Sequence, residues 1–247
     1  PINEFKKIIP NAFYIEDCCE SHGAEIYGKK VGTLSEGSTF SSYFGHHMTT
    51  VEGGFVSTDD DELYQLMRAK RSHGLARECS PELYEKYVKQ YPDVDKRFMF
   101  ITDGYNFRNN EFGGVLGISQ LPRLDDMIQR RREVCDKFVS ILKQYDEVFH
   151  IPNFEGNSSF CLPFIVKERS LRNDLQEHLK TCGIETRPLC SGNLLRQPFL
   201  SEYEPFKEFP KVDYLHYHGF FIGNNHMITD DEIDKLKSIL DDYFRVL

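Results

Sequence analysis

With 247 residues, 40% of them hydrophobic and its charges spread evenly, the chain can bury a sizeable core and fits one large domain or one and a half. A formal net charge of −9 argues against a non-specific grip on nucleic acid or anionic membrane, because both need basic surface; a local basic pocket is still allowed. No apolar run approaches the length of a membrane span and the stretch from Pro1 to Lys7 lacks the apolar core of a signal peptide, so a cytoplasmic protein with no membrane or nucleic-acid partner is expected.

In chain order, Ala12-Phe13-Tyr14-Ile15 is a short apolar run ending at Glu16-Asp17, the pattern of a parallel strand that delivers acids to its C-terminal edge. Open α/β sheets place their ligands at that edge. Glu25 to Gly32 reads as a small excursion with a Gly-Lys turn. Thr39 to Ser42 is β-prone and runs through Gly45 into His46-His47, then Glu52-Gly53-Gly54 turns the chain into a second strand, Phe55 to Ser57. A helix is expected over 62–71, opened by Thr58-Asp59-Asp60-Asp61 and stopped by Ser72-His73-Gly74.

The stretch from Cys79 to Phe100 is charged and tyrosine-rich, as expected of a surface insertion. A helical pattern follows from Asn110 to Tyr145, broken at Leu121-Pro122, and its second part is expected to bridge two domains. Strands are expected over 159–167 and 184–189 with a helix over 170–181 between them, and Thr229-Asp230-Asp231-Glu232 is a capping box for a last helix. Strands alternating with helices indicate an α/β protein, divided at 1–125, 126–145 and 146–247 into large domain, bridging helix and small domain. The seven cysteines are odd in number and irregularly spaced, with no C-x-x-C pair and no His-Glu-x-x-His, so no disulfide framework and no metal site is expected.

Several motifs together carry a resemblance. Glu16-Asp17-Cys18-Cys19-Glu20-Ser21-His22-Gly23-Ala24, Phe40-Ser41-Ser42 through Glu52-Gly53-Gly54, Gly104-Tyr105-Asn106-Phe107-Arg108, Gly183 to Pro188, Ser191-Gly192-Asn193 and Gly219 to Asn224 resemble the pyridoxal-phosphate-dependent sugar aminotransferase family. That resemblance implies a fold type I, aspartate aminotransferase-like α/β architecture, with a truncated large domain and a small α/β C-terminal domain. His46 stands where the family carries its catalytic lysine. A His-His pair at this position marks one branch, the GDP-4-keto-6-deoxy-D-mannose 3-dehydratases of colitose synthesis.

An imidazole can move protons near neutral pH but has no primary amine with which to hold an aldehyde as a Schiff base. The resemblance therefore implies a dehydratase that holds pyridoxal 5'-phosphate, or its pyridoxamine form, without a covalent tether. Its implied partners are a GDP-linked keto sugar as substrate, L-glutamate as amino donor and a second copy in a homodimer whose active site lies at the interface. His46 is the catalytic candidate, with His47 packing or orienting. Asp17, Glu20, Ser41 and Asn106 are the cofactor-binding candidates, Asp17 beneath the ring nitrogen and Ser41 on the phosphate. Arg108, Glu185, Arg187, Ser191, Asn193 and His226 are the substrate-binding candidates. An ordinary surface ion pair is the rival account of Glu185 and Arg187. Two other functions stay open, a sugar aminotransferase relative with altered chemistry and a non-catalytic sugar nucleotide binding or assembly subunit.

The family also has a substantial segment ahead of the Asp17 motif, with a helix start that binds the cofactor phosphate. The chain given starts just before that strand, so a bare sheet edge and an exposed apolar face are expected unless dimerisation or a partner chain covers them.

Overall fold

The computed structural model describes residues 2–202 and 208–246 and divides into two compact units, residues 1–124 and 125–247.

The first unit begins with helix α1 (Ile2–Ile8), which leads to strand β1 (Ile15–Asp17). The observed strand lies three residues beyond the expected run, because Glu16 and Asp17 themselves pair with strand β4 while Ala12 to Tyr14 form the approach. A two-stranded hairpin follows, β2 (Glu25–Ile26) and β3 (Lys29–Lys30), and then β4 (Gly37–Ser41) and β5 (Gly54–Ser57). The sheet order is β1-β4-β5. Strands β1 and β4 are parallel with Asp17 opposite Thr39, and β4 and β5 are antiparallel with Ser41 opposite Gly54. Asp17 and Ser41 are therefore the last residues of two parallel strands, at one edge of the sheet.

Helix α2 (Asp61–Arg71) is capped by Asp60, whose carboxylate accepts from the Leu63 N–H at 2.8 Å. Helix α3 (Pro81–Gln90) occupies the stretch expected to be a surface insertion. The helix buries none of its residues, yet Cys79 and Met99, at the two ends of the excursion that contains it, are buried, so the excursion is pinned at both feet. Helix α4 (Glu111–Gln120) starts at Asn110, whose side chain accepts from the Gly113 N–H at 3.1 Å. Its apolar residues Phe112, Val115 and Ile118 are exposed, as is Ile15 on β1, which has no neighbouring strand on its outer edge among the described residues. Among the described residues, β1 is thus an edge strand and α4 carries an exposed apolar face.

The second unit is built on helix α5 (Leu124–Leu142), the segment expected to bridge the domains. Of its buried residues, Val134, Cys135, Phe138, Ile141 and Leu142 belong to the hydrophobic core of unit 2. The arginine-rich start precedes an ordinary amphipathic helix whose apolar face packs into the core of unit 2. Strand β6 (Cys161–Ile165), helix α6 (Arg169–Thr181), strand β7 (Thr186–Pro188), helix α7 (Pro210–His218), strand β8 (Gly219–Gly223) and helix α8 (Asp230–Val246) complete the unit. Its sheet has the order β6-β8-β7, antiparallel throughout. The capping box of α8 forms as expected, with Thr229 and Glu232 exchanging side chain to backbone hydrogen bonds. Helix α7 has no clear apolar stripe; Tyr214 stacks on His218 at 3.9 Å, and the His218 Nδ1–H donates to the Val166 carbonyl at 2.8 Å.

Candidate active site

The site in unit 1 starts from Asp17. Its Oδ1 accepts from the Cys19 N–H at 3.1 Å and from the Thr39 hydroxyl at 3.4 Å, and its side chain is open to solvent. Hydrogen bonds from Cys19, thiol and then N–H, hold its carboxyl below the usual carboxylate value; the Thr39 hydroxyl and the charge of His46 add to this. Asp17 is therefore ionised at neutral pH. Glu16, its neighbour, points away. Its Oε1 accepts from the Gly32 N–H at 2.8 Å, and its Oε2 from the Leu34 N–H at 2.8 Å and the Ser35 hydroxyl at 3.1 Å, so it fastens the loop before β4.

Thr39 and Ser41 lie two apart on β4 and so share one face of the strand. The Ser41 hydroxyl oxygen accepts from the Tyr43 N–H at 3.1 Å, which leaves its proton to donate elsewhere. Beyond Ser41 the chain makes a loop over 42–53, closed at its neck by the Ser42 and Thr50 hydroxyls, 2.6 Å apart, and by the Ser42 N–H on the Gly53 carbonyl. Gly53 has a φ of +144°, and a Cβ there would stand 2.8 Å from both Thr50 Oγ1 and Asn109 Nδ2. At the crown, the His46 N–H donates to the Tyr43 carbonyl at 3.0 Å. His46 is half-buried, while His47 and Met48 are buried.

Val51 takes φ of +72°, an unusual conformation for a β-branched residue. Val51→Gly relieves that strain at some cost in unfolded-chain entropy, and a net stabilisation of about 0.5–1 kcal/mol is expected in a urea titration.

His22 and Thr39 were not among the candidates from sequence, although both sit beside residues that were. His22 is 5% exposed and contributes to the wall of an apolar cleft of about 570 Å³ together with Phe40, Met48, Thr50 and Phe55. Burial, and secondarily the charge of His46, pull its imidazole down to about 4. Its folded value lies below its unfolded one, so acidification favours proton uptake by the unfolded chain. Stability from this group is complete above pH 6.5 and is lost as the pH falls towards 4, on the order of 3 kcal/mol in all. Unfolding titrations at pH 7 and pH 4.5 are expected to show this loss, and His22→Phe to reduce it.

Asn106 and Arg108 lie on a loop held against the end of α2. The N–H groups of Tyr105 and Phe107 donate to the carbonyls of Lys70 and Arg71, and the His73 N–H donates to the Tyr105 carbonyl. The loop satisfies carbonyls that end a helix without an intrahelical partner. It can approach so closely because residue 104 is glycine; a Cβ there would run into the backbone of His73 and Gly74. Both candidate side chains are exposed, with Arg108 Nε donating to Asn106 Oδ1 at 3.4 Å. Glu20 is exposed in the turn after β1.

The remaining candidates belong to unit 2. Arg187 and Glu185 form an exposed ion pair at 3.0 Å, the geometry of their rival reading. Ser191 is exposed at a φ of +66°, directly after Cys190 at +40°. Asn193 is buried; its amide donates to Asp213 at 2.8 Å and its carbonyl oxygen accepts from the Leu195 N–H at 3.0 Å. That side chain is spent on shaping its own loop. His226 is exposed just after β8. Among the described residues, no group of three or more His, Cys, Asp or Glu could hold a metal ion, and no helix is long and apolar enough to cross a membrane.

Two parallel strands that end in a carboxylate and a hydroxyl, with a buried-neck imidazole loop beyond them, make the carboxyl edge of this α/β sheet the candidate ligand site. The chain belongs to the DegT/DnrJ/EryC1/StrS aminotransferase family, whose model matches residues 10–241. A GDP-4-keto-6-deoxy-D-mannose 3-dehydratase of Escherichia coli O55:H7 is 36% identical over 246 residues, covering 96% of this chain and 63% of that protein. The solved E. coli GDP-4-keto-6-deoxy-D-mannose-3-dehydratase with bound hydrated PLP matches with a TM-score of 0.84 at 33% identity, covering 97% of this chain and 63% of that one. A GDP-4-keto-6-deoxymannose-3-dehydratase structure with a trapped PLP-glutamate geminal diamine matches with the same score and identity, covering 97% and 64%. The chain thus spans just under two thirds of the length of these relatives.

Proposed function

We propose that this chain acts in the pyridoxal-phosphate-dependent removal of the C3 hydroxyl from a nucleotide-linked 4-keto-6-deoxy sugar, GDP-4-keto-6-deoxy-D-mannose, with L-glutamate as amino donor. The observation that carries the reading is that Asp17 and Ser41 end two parallel strands at one edge of the sheet and that the loop carrying His46 leaves directly from Ser41. The names of the relatives support the substrate and cofactor, and the glutamate adduct of one solved relative supports the amino donor.

The residues present suit the cofactor. Asp17 offers an ionised, solvent-facing carboxylate to a protonated ring nitrogen, and Ser41 keeps an O–H to donate to a phosphate. Once bound, pyridoxal phosphate supplies an electron sink for charge that develops on the substrate. Asp17 would hold the proton at the ring nitrogen. His46 would take the proton from the carbon that carries the cofactor's amino nitrogen and deliver it to the C3 hydroxyl oxygen, which would leave as water. Because an imidazole does not form the covalent tether that a lysine forms, the site favours elimination over amino transfer.

In this reading unit 1 belongs to the cofactor-binding large domain and unit 2 is the small domain. Asn106 reaches the cofactor phosphate of a second copy in a cytoplasmic homodimer, with Glu20 near the cofactor ring. Arg108, Glu185, Arg187, Ser191, Asn193 and His226 contact the sugar nucleotide, Asn193 also shaping its own loop. The product serves colitose and hence O-antigen lipopolysaccharide synthesis.

The test is an absorbance titration with pyridoxal phosphate, followed by incubation with glutamate and GDP-4-keto-6-deoxy-D-mannose. A deoxy sugar with release of ammonia is expected. An amino sugar would identify an aminotransferase instead, and failure to bind cofactor would leave a non-catalytic subunit.

A further inference from the structure

Neither hydrogen bonding nor the cofactor contacts proposed above account for His22. It follows Asp17 by five residues, in a turn where the Ala24 N–H donates to the Ser21 carbonyl at 3.0 Å and the Ser21 N–H to the Cys18 carbonyl at 3.1 Å. The turn sets its ring edge-on to Phe40, 5.3 Å between centroids, and tilted against His47 at 5.6 Å. Both ring nitrogens are buried, and neither has a hydrogen-bond partner among the described residues. Burying polar atoms in this way is costly, so a role of filling space alone would favour an apolar side chain.

The loop over 42–53 is tied at its neck by backbone and hydroxyl bonds, whereas its crown is anchored by the buried His47 and Met48. His22 is the ring that leans on His47, and His47 is the residue next to His46. The charge of His46 is also felt at His22. Two titratable groups act on His22, His46 through its charge and His47 through ring contact; Phe40, Met48 and Thr50, which share its stretch of cleft wall, carry no charge.

We propose that His22 is a positioning residue for His46, acting through its ring contact with His47, which holds the crown of the loop that carries the proton-transferring imidazole. The inference rests on the reading of His46 given above. It assigns to the Ser21-His22-Gly23 turn a part in fixing where that imidazole stands.

Histidine-labelled protein without cofactor, followed by NMR as a function of pH, tests the placement directly. His22→Ala is expected to move the ring signals of both His47 and His46 and to change the midpoint at which His46 titrates. His22→Phe keeps a ring against His47 and is expected to return the His46 signal towards its original position. In the cofactor-loaded enzyme, His22→Ala is expected to lower kcat about 3- to 30-fold with KM for the sugar nearly unchanged, and His22→Phe to recover most of it. A His46 signal and midpoint unaltered in folded His22→Ala would overturn the proposal, as would equal losses of kcat in both variants. Moved His46 signals support it even if His46→Asn leaves dehydration intact; that combination would overturn the reading of His46 alone.

Discussion

Replacement of His46 by asparagine is expected to lower kcat for sugar dehydration by about 10²- to 10⁴-fold, the usual worth of a positioned general acid or base. Asparagine keeps a polar side chain at the crown of the loop but cannot take up a proton near neutral pH. His46 is half-buried and its neighbours at the neck, Ser42 and Thr50, hold the loop without it, so the fold is expected to survive the change. The far-ultraviolet spectrum and the titration with pyridoxal phosphate should therefore match the parent, with only turnover lost. If dehydration proceeds at an unaltered rate in a variant that still binds cofactor, His46 has no part in the chemistry. Asp17→Asn makes a useful companion, because it is expected to weaken cofactor binding, whereas His46→Asn is not.

How much of this site is legible in the sequence varies from residue to residue, and adjacent residues show why. Asp17 can be found because it ends an apolar run at the C-terminal end of a parallel strand, where such sheets keep their ligands, whereas Ser41, on the polar strand Gly37–Ser41, is found only through the family resemblance. Glu16 reaches the same strand end as Asp17, and nothing local tells that its carboxylate will be taken up by Gly32, Leu34 and Ser35. A strand turns successive side chains to opposite faces, and that alternation separates their roles. Thr39 could have been found by the same alternation, two residues before Ser41. His22 could not, because its contact with His47 joins segments that the chain separates by 25 residues and only the folded sheet brings together.

The fold shows the same division. The capping box at Thr229 and the Asp60 cap depend on residues three apart and are visible at once. Helix α7 is invisible because its place rests on tertiary contacts of Tyr214 and His218, not on an apolar stripe. The pattern over 110–145 is correctly helical and correctly broken at Pro122, yet its second half reads as a bridge because Arg130, Arg131 and Arg132 precede its apolar face. In the structure Arg131 is buried and donates to the Asn224 carbonyl, while Arg130 donates to the Ile228 carbonyl at 2.6 Å, so these cations tie the helix to its own unit.

That placement sets up the second large effect. Phe164→Ala is expected to destabilise unit 2 by about 3–5 kcal/mol, the usual cost of emptying a buried aromatic site. Phe164 is fully buried, with Phe138 edge-on at 5.0 Å, Phe220 stacked at 4.9 Å and Phe149 at 5.5 Å. Three rings lose a neighbour at once, and they come from strand, helix and loop, so no single element can collapse into the space. Against the 5–15 kcal/mol typical of a folded domain, such a loss leaves the unit marginal, and its unfolding midpoint in urea should fall sharply. Phe138→Ala on α5 is expected to cost a similar amount, and the double variant less than the sum, because the two rings share one contact. A helix that merely spanned two domains would present Phe138 to no common core. A Phe138→Ala cost below about 1 kcal/mol, additive with that of Phe164→Ala, would return α5 to the role of a bridge and remove it from the core of unit 2.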